Sequence, residues 1–260
     1  MYVLAIETTG AYASVALMKD DKIISHVSGN DRFSHLQNLM PQVEIVIKES
    51  KLSLGDVDLI AVSNGPGSFT GIRIGVSSAR ALSQVLGIPC VAVPSLDALA
   101  MRAGEYVKQQ ADAKTQAAGT SDPSEVQSAP LLICPMLDAR RSQVYAGGYF
   151  IKDGYPVEEI KAGPYMLDEF LAKTAEYDQI LVLGDAVDKY AEKMAELRSE
   201  GTETVPEDIR YQDAAFVAKL GAKIYAEKGG LSYNEVQPEY MRIAEAERKL
   251  KEQQAKEKQV

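Results

Sequence analysis

Histidine and cysteine are scarce in this chain of 260 residues, with two of each. Cys90 and Cys134 stand far apart and outside any CxxC pattern, which fits a reducing compartment better than a disulfide framework. Two histidines and two lone cysteines cannot furnish a zinc finger, an HExxH helix or a four-cysteine site. Any Ser-His-Asp triad would have to draw on His26 or His35. Basic residues are also in deficit: 28 Lys and Arg against 37 Asp and Glu leave a net charge of −9. Nucleic-acid phosphates are gripped by Lys and Arg, so a chain this acidic is expected to reach nucleic acid only through a partner. No apolar run approaches the roughly 20 residues of a membrane helix. The opening MYVLAIETTG has an acid and no basic region, unlike a signal peptide. The expected location is the cytoplasm, with no membrane partner.

What is present is an ordinary globular composition, 46% hydrophobic and 25% charged, enough for a real core in one large domain or two lobes. Residues 2–8, 13–18 and 22–28 are short Val- and Ile-rich runs separated by Thr9-Gly10 and Lys19-Asp20-Asp21, and predict an antiparallel meander. Phe33, Leu36, Leu39, Met40, Val43, Val46 and Ile47 recur at helical steps, predicting a helix over 33–49 that Pro41 should kink or restart. Residues 57–63 form a near-continuous apolar run, as in a buried central strand. A Gly-rich turn then leads to a helix over 69–86 that stops at Gly87 and Pro89. Residues 90–93 predict a strand and 95–108 a helix. Strand patterns return at 131–137, 143–151 and 179–183, with helices expected at 167–175, 186–199 and 212–228.

The opening order β-β-β-α-β-α-β-α resembles the ribonuclease-H-like half of the actin/hexokinase/Hsp70 superfamily. The expected fold class is α/β, a two-lobe actin/Hsp70-like (ASKHA) fold with mixed sheets and flanking helices. The expected organisation is a first lobe over 1–108, a polar insertion or loop over 109–129 and a smaller second lobe over 130–210. A C-terminal helix and extension over 211–241 should pack back on the lobes. The charged tail 242–260 carries six basic and four acidic residues, with Glu245/Lys249, Glu247/Lys251 and Glu252/Lys256 spaced i,i+4. It fits a solvated helix, or else a basic arm near RNA.

Five features bear on chemistry. Glu7, Thr8 and Thr9 precede Gly10 at the first turn, where backbone N–H groups and an acid suit phosphate and Mg²⁺, although an ordinary hairpin turn needs the same residues. Gly65, Gly67 and Ser68 lead from a strand into a helix N-terminus, an anion-attracting place, but match neither Walker A nor GxGxxG. In that helix Gly71, Gly75, Ala79 and Ser83 fall at four-residue steps and strip one face bare, for packing on the chain's own sheet and first helix or on another subunit. Arg140 and Arg141 at a turn fit a carboxylate, a phosphate or an acidic partner surface, or a local pair with Asp138. His35 lacks a second ligand at a helical step and is not expected to bind metal.

Taken together, IETTGAYASVAL, HLQNLMPQVEIVI, SNGPGSFTGIRIGVSSARALSQVLGIPCVAVPSLDALA, LDARRSQVYAGGYF and QPEYMR resemble the TsaB (YeaZ) family over essentially residues 1–242, apart from the insertion. The resemblance implies a subunit of the machinery that forms N6-threonylcarbamoyladenosine at position 37 of tRNAs reading ANN codons. It implies a heterodimer with the catalytic paralogue TsaD and recruitment of the ATPase TsaE. It links the chain to TsaC through threonylcarbamoyl-AMP, and to tRNA through the complex. TsaD-like sequences carry a His-x-x-x-His metal motif where this chain has Ser95 and Leu99, and the second-lobe glycine loop is reduced to Gly184-Asp185. The implied role is therefore a non-catalytic scaffold with no cofactor of its own, ATP or ADP entering at the complex interface. The implied pairing surface is His35, Leu36, Leu39 and Met40 of the first helix with Phe69, Gly71, Ile72, Arg73, Gly75, Val76 and Ala79 of the second. The same surface could self-pair, giving homodimers in isolation. The competing enzyme reading, a small-molecule kinase or ATPase, requires both phosphate loops. A peptidase requires a nucleophile–His–acid set that is not visible.

Overall fold

The computed structural model describes residues 1–29, 34–118 and 131–241. Two five-stranded mixed sheets organise them. The first contains β1 (Tyr2–Glu7), β2 (Ser14–Lys19), β3 (Lys22–Ser28), β4 (Leu59–Gly65) and β5 (Cys90–Pro94), in the order β3-β2-β1-β4-β5. Strands β1, β2 and β3 pair antiparallel, while β4 and β5 join parallel. The second contains β6 (Leu132–Asp138), β7 (Gln143–Lys152), β8 (Tyr155–Met166), β9 (Ile180–Leu183) and β10 (Thr202–Thr204), in the order β8-β7-β6-β9-β10. Its pairings alternate in the same way. The topology is thus repeated between the lobes, although the sequence shows no clear repeat.

Alternation along β1 and β4 sends side chains to both faces of the first sheet. Leu4, Ile6, Ile60 and Val62 meet α1 (His35–Glu49) and α2 (Phe69–Leu86) on one side. Val3, Ala5, Leu59 and Ala61 meet α3 (Ser95–Ala118) and α7 (Ala214–Lys228) on the other. Burying each large aliphatic side chain contributes about 1.5–3 kcal/mol. Helix α3 lies between the sheets: Ala98 and Met101 join the first core, while Leu96, Leu99, Ala100 and Ala103 pack with Ile133, Leu137 and Leu183 of the second lobe. The second sheet buries its other face under α4 (Leu167–Lys173), α5 (Asp185–Lys189) and α6 (Ala191–Leu197).

Several expectations need correction. Residues 109–118 are not loop but continue α3, whose polar last turns need only solvent. Helix α1 passes through Pro41 without dividing into two helices. The 186–199 helix is two, parted at Tyr190, and β8 and β10 had no expected counterpart. Phe33, residues 119–129 of the insertion and the tail 242–260 with its charge pairs lie outside the described residues. No helix among the described residues is long and apolar enough to cross a membrane.

After α7 the chain forms a strap. Leu231 bridges β5 at Cys90, Val236 is fully buried in the first core, and Met241 packs against the second. The Asn64 side chain donates to the Gln237 carbonyl at 3.2 Å, and Glu239 N–H donates to the Asn64 carbonyl at 2.8 Å. Gly65, at φ +123°, tolerates the strap because a Cβ there would collide with the Glu239 carbonyl.

Candidate functional site

Helix α2 is capped at both ends: the Ser68 hydroxyl accepts from Gly71 N–H at 3.2 Å, and Gly87 closes it in the left-handed conformation. Its bare stripe is used inside the chain. A Cβ on Gly71 would overlap the Thr8 carbonyl, and one on Gly75 would overlap the Thr8 hydroxyl. Ile72, Val76 and Ala79 lie in the first core at 2% exposure or less, with Leu39 of α1. His35 is 3% exposed beside Gly71, and burial lowers its pKa, partly offset by a backbone bond to Gly10. Seven of the eleven expected partner contacts, His35, Leu39, Gly71, Ile72, Gly75, Val76 and Ala79, are therefore interior. The physical reason is that close helix-to-turn packing required the glycines, and the aliphatic residues beside them had a sheet to cover.

Four remain on the surface. Leu36 is 76% exposed, Met40 44% and Phe69 39%, and Arg73 is also exposed. The Arg73 guanidinium carbon sits 3.9 Å from the Phe69 ring centroid, and its Nε donates to the Tyr240 hydroxyl at 2.9 Å. Tyr240 lies 4.9 Å from Phe69, ring to ring. Tyr240 lies within QPEYMR, and nothing in that segment's spacing marks it as a surface partner of α2.

A cleft of about 360 Å³ separates the lobes. Thr9, Gly10, Gly67, Ser68, Leu137, Asp138, Arg140, Asp185 and Gln212 belong to its lining. Of the six residues considered for phosphate contact, Thr9, Gly67 and Ser68 face this cleft; Glu7, Thr8 and Gly65 do not. Glu7 has no exposed surface, and its carboxylate accepts from the Thr9 hydroxyl at 2.6 Å. Burial pushes its pKa up, against the opposing hydroxyls of Thr9 and Ser63 and the N–H groups of Thr9 and Gly10. Glu7 holds the turn and does not reach the cleft. The Thr8 hydroxyl donates to the Gly71 carbonyl at 2.7 Å, and Ser68 N–H donates to the Thr9 carbonyl at 2.8 Å.

Across the cleft, Asp138 accepts from Lys189 Nζ at 2.6 Å, Tyr190 at 2.9 Å and Arg140 N–H at 2.8 Å. Burial alone would raise its pKa, but these donors hold it below the usual carboxylate value. Asp185 accepts from Asp138 N–H at 2.8 Å, and burial raises its pKa. The Gln212 amide rests on Gly10, where a Cβ would come within 2.5 Å of Oε1. Glu7, the acid expected to position Mg²⁺, is thus turned away from the cleft, which carries Asp138, Asp185 and Arg140 from the second lobe.

At the positions where the paralogue's histidines would stand, Ser95 is fully buried with its hydroxyl on the Pro66 carbonyl, and Leu99 is in the second core. No group of three His, Cys, Asp or Glu side chains among the described residues could hold a metal ion.

Residues 23–248 match the family model described as TsaD, tRNA N6-adenosine threonylcarbamoyltransferase. The chain is 30% identical over 259 residues to the tRNA threonylcarbamoyladenosine biosynthesis protein TsaB of Bacillus subtilis, covering 98% of this chain and all of that one. It is 37% identical to the protein of the same name from Escherichia coli over 103 residues, 40% of this chain and 44% of that one. The solved structure of YeaZ from Pseudomonas aeruginosa superimposes with a TM-score of 0.73 at 24% identity, over 92% of this chain and 99% of that one.

Proposed function

The chain belongs to the TsaB (YeaZ) family, and from that premise we propose that it serves threonylcarbamoyladenosine formation in tRNA as a non-catalytic scaffold. The modified base is position 37 of tRNAs reading ANN codons. The chain pairs with its catalytic paralogue TsaD, helps recruit TsaE, and meets tRNA and the threonylcarbamoyl-AMP made by TsaC only through that assembly. One observation carries the reading: Leu36, Met40 and Phe69 leave large apolar groups in water on the α1–α2 face. A partner's helices would remove that area from solvent. In isolation the same face meets a second copy of itself.

The cleft chemistry supports the non-catalytic assignment. Glu7 is turned inward, and neither Ser95 nor Leu99, both buried, can replace an imidazole ligand. ATP or ADP, where it enters, is held jointly with the partner and not by this chain's cleft alone.

The test is size-exclusion chromatography with light scattering on this chain, on TsaD from the same organism, and on their mixture. A 1:1 complex replacing the homodimer peak is expected. Absence of a complex, with TsaE and ATP also present, would reduce the family likeness to a matter of fold.

A further inference from the structure

Resting on the pairing face proposed above, we infer that Arg73 is its charged anchor and takes a carboxylate of the protein partner. Arg73 lies one turn beyond Phe69 on α2, so both project from the same side. The guanidinium stacks on Phe69 and is fixed at Nε by Tyr240. Tyr240 is itself fixed, because the strap that carries it is pinned to β4 at Asn64 and buried at Val236. The two Nη nitrogens make no hydrogen bond or ion pair among the described residues. Among the described residues, this exposed arginine thus keeps its paired N–H edge free while its torsional freedom is already spent. The ordering cost at association is therefore low. That edge matches a carboxylate in two parallel hydrogen bonds.

The surroundings select a protein carboxylate over a nucleic-acid phosphate. Phe69 and Tyr240, which flank the guanidinium, each expose 39% of their surface. An arginine framed by aromatic rings is the composition of a protein–protein hot spot. A phosphate-binding face needs several cations, and the exposed α1 positions carry Glu44 and Glu49 alongside Lys48.

The experiment is calorimetric titration of the full-length chain with TsaD. The variants are Leu36→Asp, Arg73→Lys and Tyr240→Phe, each first shown to keep the wild-type circular dichroism and Tm. Arg73→Lys keeps the charge and loses the planar fork, and should weaken binding about 10–30-fold. Tyr240→Phe keeps the ring and loses the Nε acceptor, and should weaken it about threefold to tenfold. If Leu36→Asp abolishes binding while Arg73→Lys stays within twofold, the face stands and the anchor is refuted. If neither matters, the face itself is refuted. If Arg73→Lys spares TsaD binding and weakens tRNA retention by the assembled complex, the guanidinium reads phosphate and the inference falls.

Discussion

Thr8 and Gly71 lock the first turn of the sheet to helix α2: the Thr8 hydroxyl donates to the Gly71 carbonyl at 2.7 Å, and the missing Cβ of Gly71 makes room for the Thr8 backbone. Gly75 does the same one turn later for the Thr8 side chain. The contact explains two glycines inside a helix, where each costs about 0.5–1 kcal/mol relative to Ala. A substitution such as Gly75→Arg would therefore break the fold before its side chain met any partner.

Gly71→Ala should therefore destabilise by about 2–3 kcal/mol, because the obstacle is backbone and cannot swing away. For a chain of this size the Tm should fall by about 4–9 °C. A thermal melt within a degree of wild type would show that α2 can shift off the turn at little cost.

Leu36→Asp should leave the Tm unchanged and raise the Kd for TsaD at least about tenfold, since Leu36 touches mainly water in the isolated chain. A drop in Tm would instead place Leu36 in the fold's own packing.

Asp97 offers a pH test. Its carboxylate accepts from the Tyr149 hydroxyl at 2.8 Å, and its pKa is raised to about 6. Burial is the main cause, with Glu158 and Glu239 adding to it and Tyr149 and Lys228 opposing it. The folded-state value lies above the unfolded one, so the native state holds the proton more tightly. Stability is then lost as pH rises from about 4 to about 6. Asp97→Asn keeps the acceptor and removes the charge, so it should stabilise by about 2 kcal/mol at pH 7.5 and by little at pH 4. Equal effects at both pH values would mean that Asp97 titrates normally.

Millimolar ATP with Mg²⁺ should not raise the Tm of the isolated chain by more than about 1 °C, since only a ligand bound to the native state stabilises it. A clear rise would show that the cleft accepts nucleotide despite Asp138 and Asp185.

The first lobe was the more legible half. Its strands are central and buried, so a short apolar run such as 59–62, bounded by a Gly-rich turn, announces itself. Strand β8 escaped because it is an edge strand whose Glu158, Glu159 and Lys161 face water and mask any alternation. The α1–α2 stripe was visible as a pattern, but its direction was not. Small residues at four-residue steps say that something comes close, and only the packed turn at Thr8 says what.

By itself the sequence determined the element order of the first lobe, the family, and the caps at Ser68 and Gly87. These follow from local chemistry: periodicity, φ preference and residue identity at a position. Tertiary structure alone decided that His35, Leu39 and Val76 are interior while Leu36 and Met40 face water, and that Glu7 turns inward from the cleft. It also brought Tyr240 across 167 positions of sequence to Arg73. Such choices depend on which face of an element the rest of the chain covers, and that is settled only when distant segments compete for the same buried surface.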